Sequence, residues 1–79
     1  MKIDNLKGRI LKCIVNCTGF QIDEPEAVPI FKDKLIEVVD ITDTHIIAKG
    51  IPFYSEFTVN KKRLNESFVI SGTGEKINY

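Results

Sequence analysis

The sequence predicts an all-β fold of five short strands. The main observation is that residues 35–59 form three successive runs in which apolar and polar residues alternate with a period of two, the pattern of a β-meander. Shorter runs of the same kind at 9–16 and 67–70 supply a first and a last strand. With 79 residues, the chain is long enough for one small domain and too short for two.

The first run, 9–16, has apolar residues on both of its faces, since Leu11, Cys13 and Val15 alternate with Ile10 and Ile14. This pattern suits a central strand of a tightly curved sheet.

Residues 17–33 lose the periodicity. Thr18-Gly19 is a turn signal, residues 23–26 form an acidic cluster, and Pro29 argues against an interior strand. We therefore expect a long first loop, and long ordered loops are often functional. The alternative is that the loop's own apolar side chains plug an open end of the barrel, these being Phe20, Ile22, Val28, Ile30 and Phe31.

A single helical turn is expected between the meander and the last strand. Asn60 is placed as its N-cap, with Val59 and Leu64 at the positions of a hydrophobic staple. Cations in the first turn oppose the helix dipole, so the turn should be short. Residues 71–79 are expected to form a tail that frays unless Ile77 and Tyr79 dock.

The expected organisation is one domain over residues 1–79, with its core in about 9–70 and a tail at 71–79. One face of each predicted strand supplies the core, which gives the set Leu11, Val15, Leu35, Val39, Ile47, Phe57, Val59, Leu64 and Val69.

Composition narrows the range of partners. Lysine plus arginine and aspartate plus glutamate each number 11, so the whole chain has no net attraction to nucleic acid or to an anionic membrane. No apolar run reaches the roughly 18 residues of a membrane span, and charges interrupt the N-terminal segment where a secretory signal would be continuous. We therefore expect a cytoplasmic protein without a membrane partner.

The residues that carry chemistry are few and do not form a recognised pattern. His45 is the only histidine, and together with Cys13 and Cys17 it matches no common zinc spacing. Two cysteines four residues apart on one strand would lie roughly 13 Å from each other, too far for a disulfide. We expect reduced cysteines, no metal, no cofactor and no enzymatic activity.

Three segments, FKDKLIEVVDI (31–41), HIIAKG (45–50) and RLNESFVI (63–70), resemble the small SH3-like barrel proteins carried by phages and prophages. This resemblance implies a five-stranded SH3-like barrel with a long first loop and a one-turn helix before the last strand. It also implies an accessory protein that binds or inhibits a host factor, such as one of antiviral defence. The chain has no tryptophan, which departs from the SH3 domains that bind polyproline. It has Asp33-Lys34 where the KOW-type barrels usually carry a glycine.

The leading functional hypothesis is therefore a non-enzymatic protein-binding module. Its partner would be a host protein contacted by the long loop, through Phe20, Asp23, Glu24, Glu26 and Phe31. A small barrel also leaves strand edges exposed, which favours a homo-oligomer.

Two alternatives stay open. A weak nucleic-acid-binding barrel would use Tyr54, Lys61, Lys62 and Arg63. An oligomer that sequesters a nucleotide-like small molecule would place a pocket between its protomers.

Overall fold

The structure is a computed structural model that describes residues 1–22, 26–51 and 56–78. A short 3₁₀ helix, Ile3–Asn5, precedes the first strand. The remaining elements follow in chain order: β1 (Ile10–Cys13), β2 (Cys17–Gln21), β3 (Ala27–Ile30), β4 (Leu35–Ile41), β5 (His45–Ile51), β6 (Glu56–Asn60), α1 (Lys61–Ser67) and β7 (Phe68–Ile70).

The strands form one antiparallel sheet in the order β3-β2-β6-β5-β4-β1-β7. This sheet curls into a half-barrel, which confirms the predicted all-β architecture at that level. The number of strands was predicted wrongly, because the described residues form seven strands rather than five. Strands β4, β5 and β6 pair consecutively in the middle of the sheet, which confirms the meander.

The predicted long loop is instead a β-hairpin made of β2 and β3. Gln21 N–H donates to the Glu26 carbonyl at 3.1 Å, and the alternation of an antiparallel ladder then turns the backbone nitrogen of Pro29 toward the open side of β3. Because β3 is an edge strand, no neighbour needs the N–H that proline lacks. Pro29 therefore excludes an interior strand but not an edge strand. The prediction of a loop was wrong because it did not consider an edge position.

The core lies on one face of the sheet and contains four of the predicted residues, Leu11, Phe57, Val59 and Leu64. Val15 was predicted wrongly, since it is 54% exposed. Strand β1 ends at Cys13, so the period-two alternation no longer applies two residues later.

In strands β4, β5 and β7, the face that packs against the core is the opposite of the one predicted. The predicted core residues Leu35, Val39, Ile47 and Val69 are half-buried, and the core is filled by Ile36, Val38, Ile46, Ala48, Phe68 and Ile70. Both faces of these strands carry apolar residues, so hydrophobicity alone does not set the phase. For β4 and β5 the charged residues set it, because Glu37 and Lys49 pair at 3.8 Å on the face opposite the core.

Helix α1 is seven residues long, so the prediction of one turn was too short. Asn60 caps it as predicted, and its side-chain oxygen accepts the Lys62 N–H at 2.9 Å. Leu64 and Ser67 are buried, and tertiary packing of this kind supports a helix beyond what its first-turn charges allow.

Residues 71–78 return along the outer edge of β7. The Ile70 N–H donates to the Glu75 carbonyl at 2.9 Å, and the Asn78 N–H donates to the Met1 carbonyl at 2.8 Å. Ile77 is only 1% exposed and belongs to the core, while Tyr79 lies outside the described residues. Within the part of the chain that the structure describes, no helix has the length and apolar character needed to span a membrane.

Candidate functional site

The β2–β3 hairpin carries the described members of the predicted partner-binding set. Phe20 lies on β2 and is 52% exposed, and Phe31 directly follows β3 and is 65% exposed. Glu26 is exposed immediately before β3. The other two members, Asp23 and Glu24, lie outside the described residues. The two aromatic side chains are therefore available to a partner.

The pairing of β2 with β3 places other apolar residues on the same face as Phe20. Phe20 lies opposite Ala27 and Thr18 lies opposite Pro29, and directly opposed residues of an antiparallel pair share a face. We call the exposed apolar residues of this hairpin the hairpin face. Phe20, Ala27 and Pro29 share one side of the paired strands, and Ile22 and Phe31 directly follow β2 and β3.

Sequence reasoning did not assign Ile22, Ala27 or Pro29 to the site. The signal that could have found them is the spacing of two residues within 18–22 and again within 27–31.

Gly19 lets the hairpin lie against the rest of the sheet. A Cβ atom at this position would lie 2.8 Å from the Thr58 carbonyl oxygen and 2.9 Å from the Phe57 ring. The absence of a side chain therefore permits β2 to pair with β6, where the Thr58 hydroxyl donates to the Phe20 carbonyl at 3.3 Å. This close approach fixes the position of Phe20 on the sheet.

A cleft of about 440 Å³ lies between the hairpin and the meander. Its lining includes Val28 and Phe31 from the hairpin segment and Ile36 and Phe57 from the meander. Lys34 and Glu56 contribute polar groups to its lining. An apolar cleft of this size with a few polar groups has the character of a binding site.

The described residues of the set predicted to bind nucleic acid do not all lie together in the structure. Lys61 is half-buried and lines a depression next to Asp43 and Asn78, whereas Lys62 and Arg63 are exposed on another side of α1. Tyr54, the aromatic member of that set, lies outside the described residues. The described cations of the set therefore do not form a single patch.

Lys62 and Arg63 instead share a groove with Phe20. This groove measures about 340 Å³, and Thr18, His45 and Asn60 complete its lining. His45 is half-buried, and its Nδ1 lies 2.7 Å from the Thr44 hydroxyl. Phe20 and the cations are some 40 residues apart along the chain, so they were predicted to belong to different sites. We call this feature the cationic groove.

Both cysteines are free thiols. They lie on different strands, so the distance expected for one extended strand does not apply. Cys13 is buried, and its thiol donates to the Val15 carbonyl at 3.0 Å. Burial raises the pKa of Cys17 to about 11, and Cys13 contributes in the same direction. The Cys17 thiol is therefore protonated at neutral pH, which makes it a poor nucleophile.

Metal-ligating side chains do not converge in the described structure. Across residues 1–22, 26–51 and 56–78, no group of three or more histidine, cysteine, aspartate or glutamate residues is arranged to hold a metal ion.

No protein-family model matches the sequence, and comparisons with curated proteins and with solved structures found no match either.

Proposed function

We propose that this chain is a non-enzymatic, SH3-like protein-binding module and that the hairpin face contacts its partner. The observation that carries the proposal is the position of Phe31, which is 65% exposed and borders the apolar cleft next to the hairpin. Exposed aromatic side chains beside a concave apolar surface are typical of the central residues of protein interfaces.

Polar groups around Phe31 and the cleft support the same proposal. Glu26 is exposed immediately before β3, and Lys34 and Glu56 belong to the lining of the cleft. Protein interfaces generally combine an apolar centre with a polar rim that fixes orientation. A partner with an apolar protrusion and a few charged groups around it fits this arrangement.

We further propose that the partner is a host factor and that the chain acts as a phage-type accessory protein or inhibitor. This part rests on the resemblance of residues 31–41, 45–50 and 63–70 to phage SH3-like proteins. Factors of antiviral defence are a class of partner that fits such a role.

The test is affinity capture from bacterial lysate, followed by calorimetric titration of each purified candidate partner. Replacing Phe31 with alanine should weaken binding at least about tenfold, since central aromatic residues of an interface contribute about 2 kcal/mol or more. The thermal midpoint should stay nearly unchanged, because the side chain is already exposed.

The matched control is Ile10→Ala. Ile10 is also an exposed apolar residue, at 41%, but it lies on β1, away from the hairpin. This variant should bind the partner as the wild type does. Equal affinity of wild type and Phe31→Ala would contradict the assignment of the interface.

A further inference from the structure

The cationic groove contains two positive charges, those of Lys62 and Arg63, that form no ion pair with the residues the structure describes. Lys7, Lys12 and Lys49 each lie within 3.9 Å of a carboxylate oxygen, as does the Met1 amino group. Within the described residues, Lys62 and Arg63 make no such pair, and both are exposed. Their charges are therefore available to an external anion.

Neither cation is explained by the stability of α1. Both lie in its first turn, where a positive charge opposes the helix dipole. Asn60 accepts the Lys62 N–H, and the lysine and arginine side chains have no acceptor with which to cap the N–H groups of this turn. Charges that work against local stability without local compensation suggest a functional role.

Strands β2, β5 and β6 contribute Phe20 and hydrogen-bonding side chains to the groove. Phe20 lies opposite Thr58, and His45 lies opposite Asn60 on the neighbouring pair of strands. These residues lie on the face of the sheet opposite the core residues Phe57 and Val59. The exposed Phe20 ring is therefore next to hydrogen-bonding side chains and to both cations.

We propose that the cationic groove binds a nucleoside phosphate, with the base stacked on Phe20 and the phosphate held by Lys62 and Arg63. Every nucleobase has a π-face that stacks on an aromatic ring, and the planar guanidinium of arginine matches phosphate oxygens. Thr18 and Asn60 supply hydrogen-bonding groups for the base or the sugar. The volume of about 340 Å³ is at the lower end of ligand sites and suits one nucleotide unit.

An acidic peptide fits the groove less well. Its carboxylates would use the cations, but an aromatic face carries the negative end of the ring quadrupole and does not attract them. Stacking therefore distinguishes the nucleotide from the peptide.

This inference goes beyond the proposed protein-binding function, because Lys62 and Arg63 do not belong to the hairpin face. Only Phe20 is common to the two surfaces. The ligand is either a free nucleotide or one unit of a single strand, since both present a base and a phosphate.

The experiment measures the fluorescence anisotropy of a labelled ten-residue oligothymidylate at low salt, with calorimetric titration of AMP as a second arm. Replacing Lys62 and Arg63 with glutamate should weaken oligonucleotide binding at least about tenfold. It should also reduce the dependence of log K on log salt by about 1.4, the value for two lost contacts to a single strand. Phe20→Leu keeps apolar bulk but removes the ring, and should weaken binding about fivefold or more.

The matched control reverses the charge of two other exposed lysines in the double variant Lys2→Glu with Lys32→Glu. This control changes the net charge by the same amount and should bind within about twofold of wild type. In wild type, amide resonances of Thr18, Phe20 and Asn60 should shift when the ligand is added. Binding of AMP would identify a free nucleotide as the source, and binding of the oligonucleotide alone would identify a single strand.

Three results would overturn the proposal. These are no binding of either probe to the wild type, equal loss of binding in the control variant, and an oligoglutamate peptide that binds as tightly as the oligonucleotide. Phe31→Ala should leave nucleotide binding unchanged, so failure of this proposal is distinguishable from failure of the proposed protein-binding function.

Discussion

Cys17 shows how the position of one side chain sets its chemistry. Burial and the neighbouring Cys13 raise its pKa from 9.0 to about 11, although Ser67 and Arg63 act in the opposite direction. In the unfolded chain the thiol returns to its ordinary pKa. Between these two values the folded protein therefore binds more protons at this site than the unfolded chain does.

This difference predicts a pH dependence of stability. Below pH 9 the contribution of Cys17 is fully present, and it is lost as the pH rises toward about 11, because the unfolded state then releases its proton first. Urea denaturation across this range should show a decline that is smaller in Cys17→Ser. An identical decline in wild type and variant would show that other groups cause it.

At the same scale, single residues explain which parts of the site were predictable. Phe20 and Phe31 are exposed and lie outside the core, while their role as partner-binding residues stays a prediction. The phase of β4 was missed, although Glu37 on the face of Leu35 and Val39 marks that face as the outer one. Charged residues within an apolar strand are thus better indicators of phase than the apolar residues themselves.

At the scale of elements, the hairpin and the helix differ from prediction for related reasons. Pro29 and Gly19 both disfavour an ordinary strand when each is considered alone. Their roles depend on neighbours that are distant in sequence, since Pro29 lies on an open edge and Gly19 lies against β6. Helix α1 likewise extends because Leu64 packs into the core. Local sequence cannot report these tertiary contacts.

The cap of α1 gives a prediction at this scale. Asn60→Ala should lower the free energy of unfolding by about 1 kcal/mol, because the Lys62 N–H loses its side-chain acceptor. Equilibrium denaturation in urea measures this change.

The control for the cap is Asn65→Ala, which replaces an exposed asparagine inside the same helix. Alanine has the higher helix propensity, so this variant should be as stable as wild type or slightly more stable. Equal destabilisation of both variants would show that Asn60 acts through something other than its cap.

At the scale of the whole molecule, the two ends of the described chain are held together. The Met1 amino group lies 2.7 Å from a Glu75 carboxylate oxygen, and this contact keeps the pKa of Glu75 below its usual range. The 71–78 segment covers the edge of β7, whereas β3 leaves an open edge that Pro29 interrupts. Self-association through open edges remains a prediction, and the native mass measures it.

The burial of Ile77 gives a prediction for the molecule as a whole. Ile77→Ala should cost about 2–4 kcal/mol of unfolding free energy, because a side chain from the core is removed and a cavity remains. Ile10→Ala, which truncates an exposed isoleucine, should cost less than about 1 kcal/mol. Similar losses in both variants, measured by thermal or urea denaturation, would contradict the docking of residues 71–78.

The sequence was sufficient to predict an all-β sheet with a central meander, because period-two alternation is a local signal. It was not sufficient for the cationic groove, since Phe20, His45 and Lys62 come from three separate segments. Which residues share a surface depends on the order of the strands, and that order is set by long-range pairing.

The most direct test of the proposed function is hydrogen exchange of the protein alone and in complex with a captured partner. We predict that the partner slows exchange of amides in the hairpin, residues 17–31, and leaves the 71–78 segment unchanged. The open edge of β3 makes this change measurable, because the outward N–H of Ala27 has no partner strand in the described fold. Protection confined to other parts of the chain, with the hairpin unaffected, would contradict the assignment of the hairpin face as the interface.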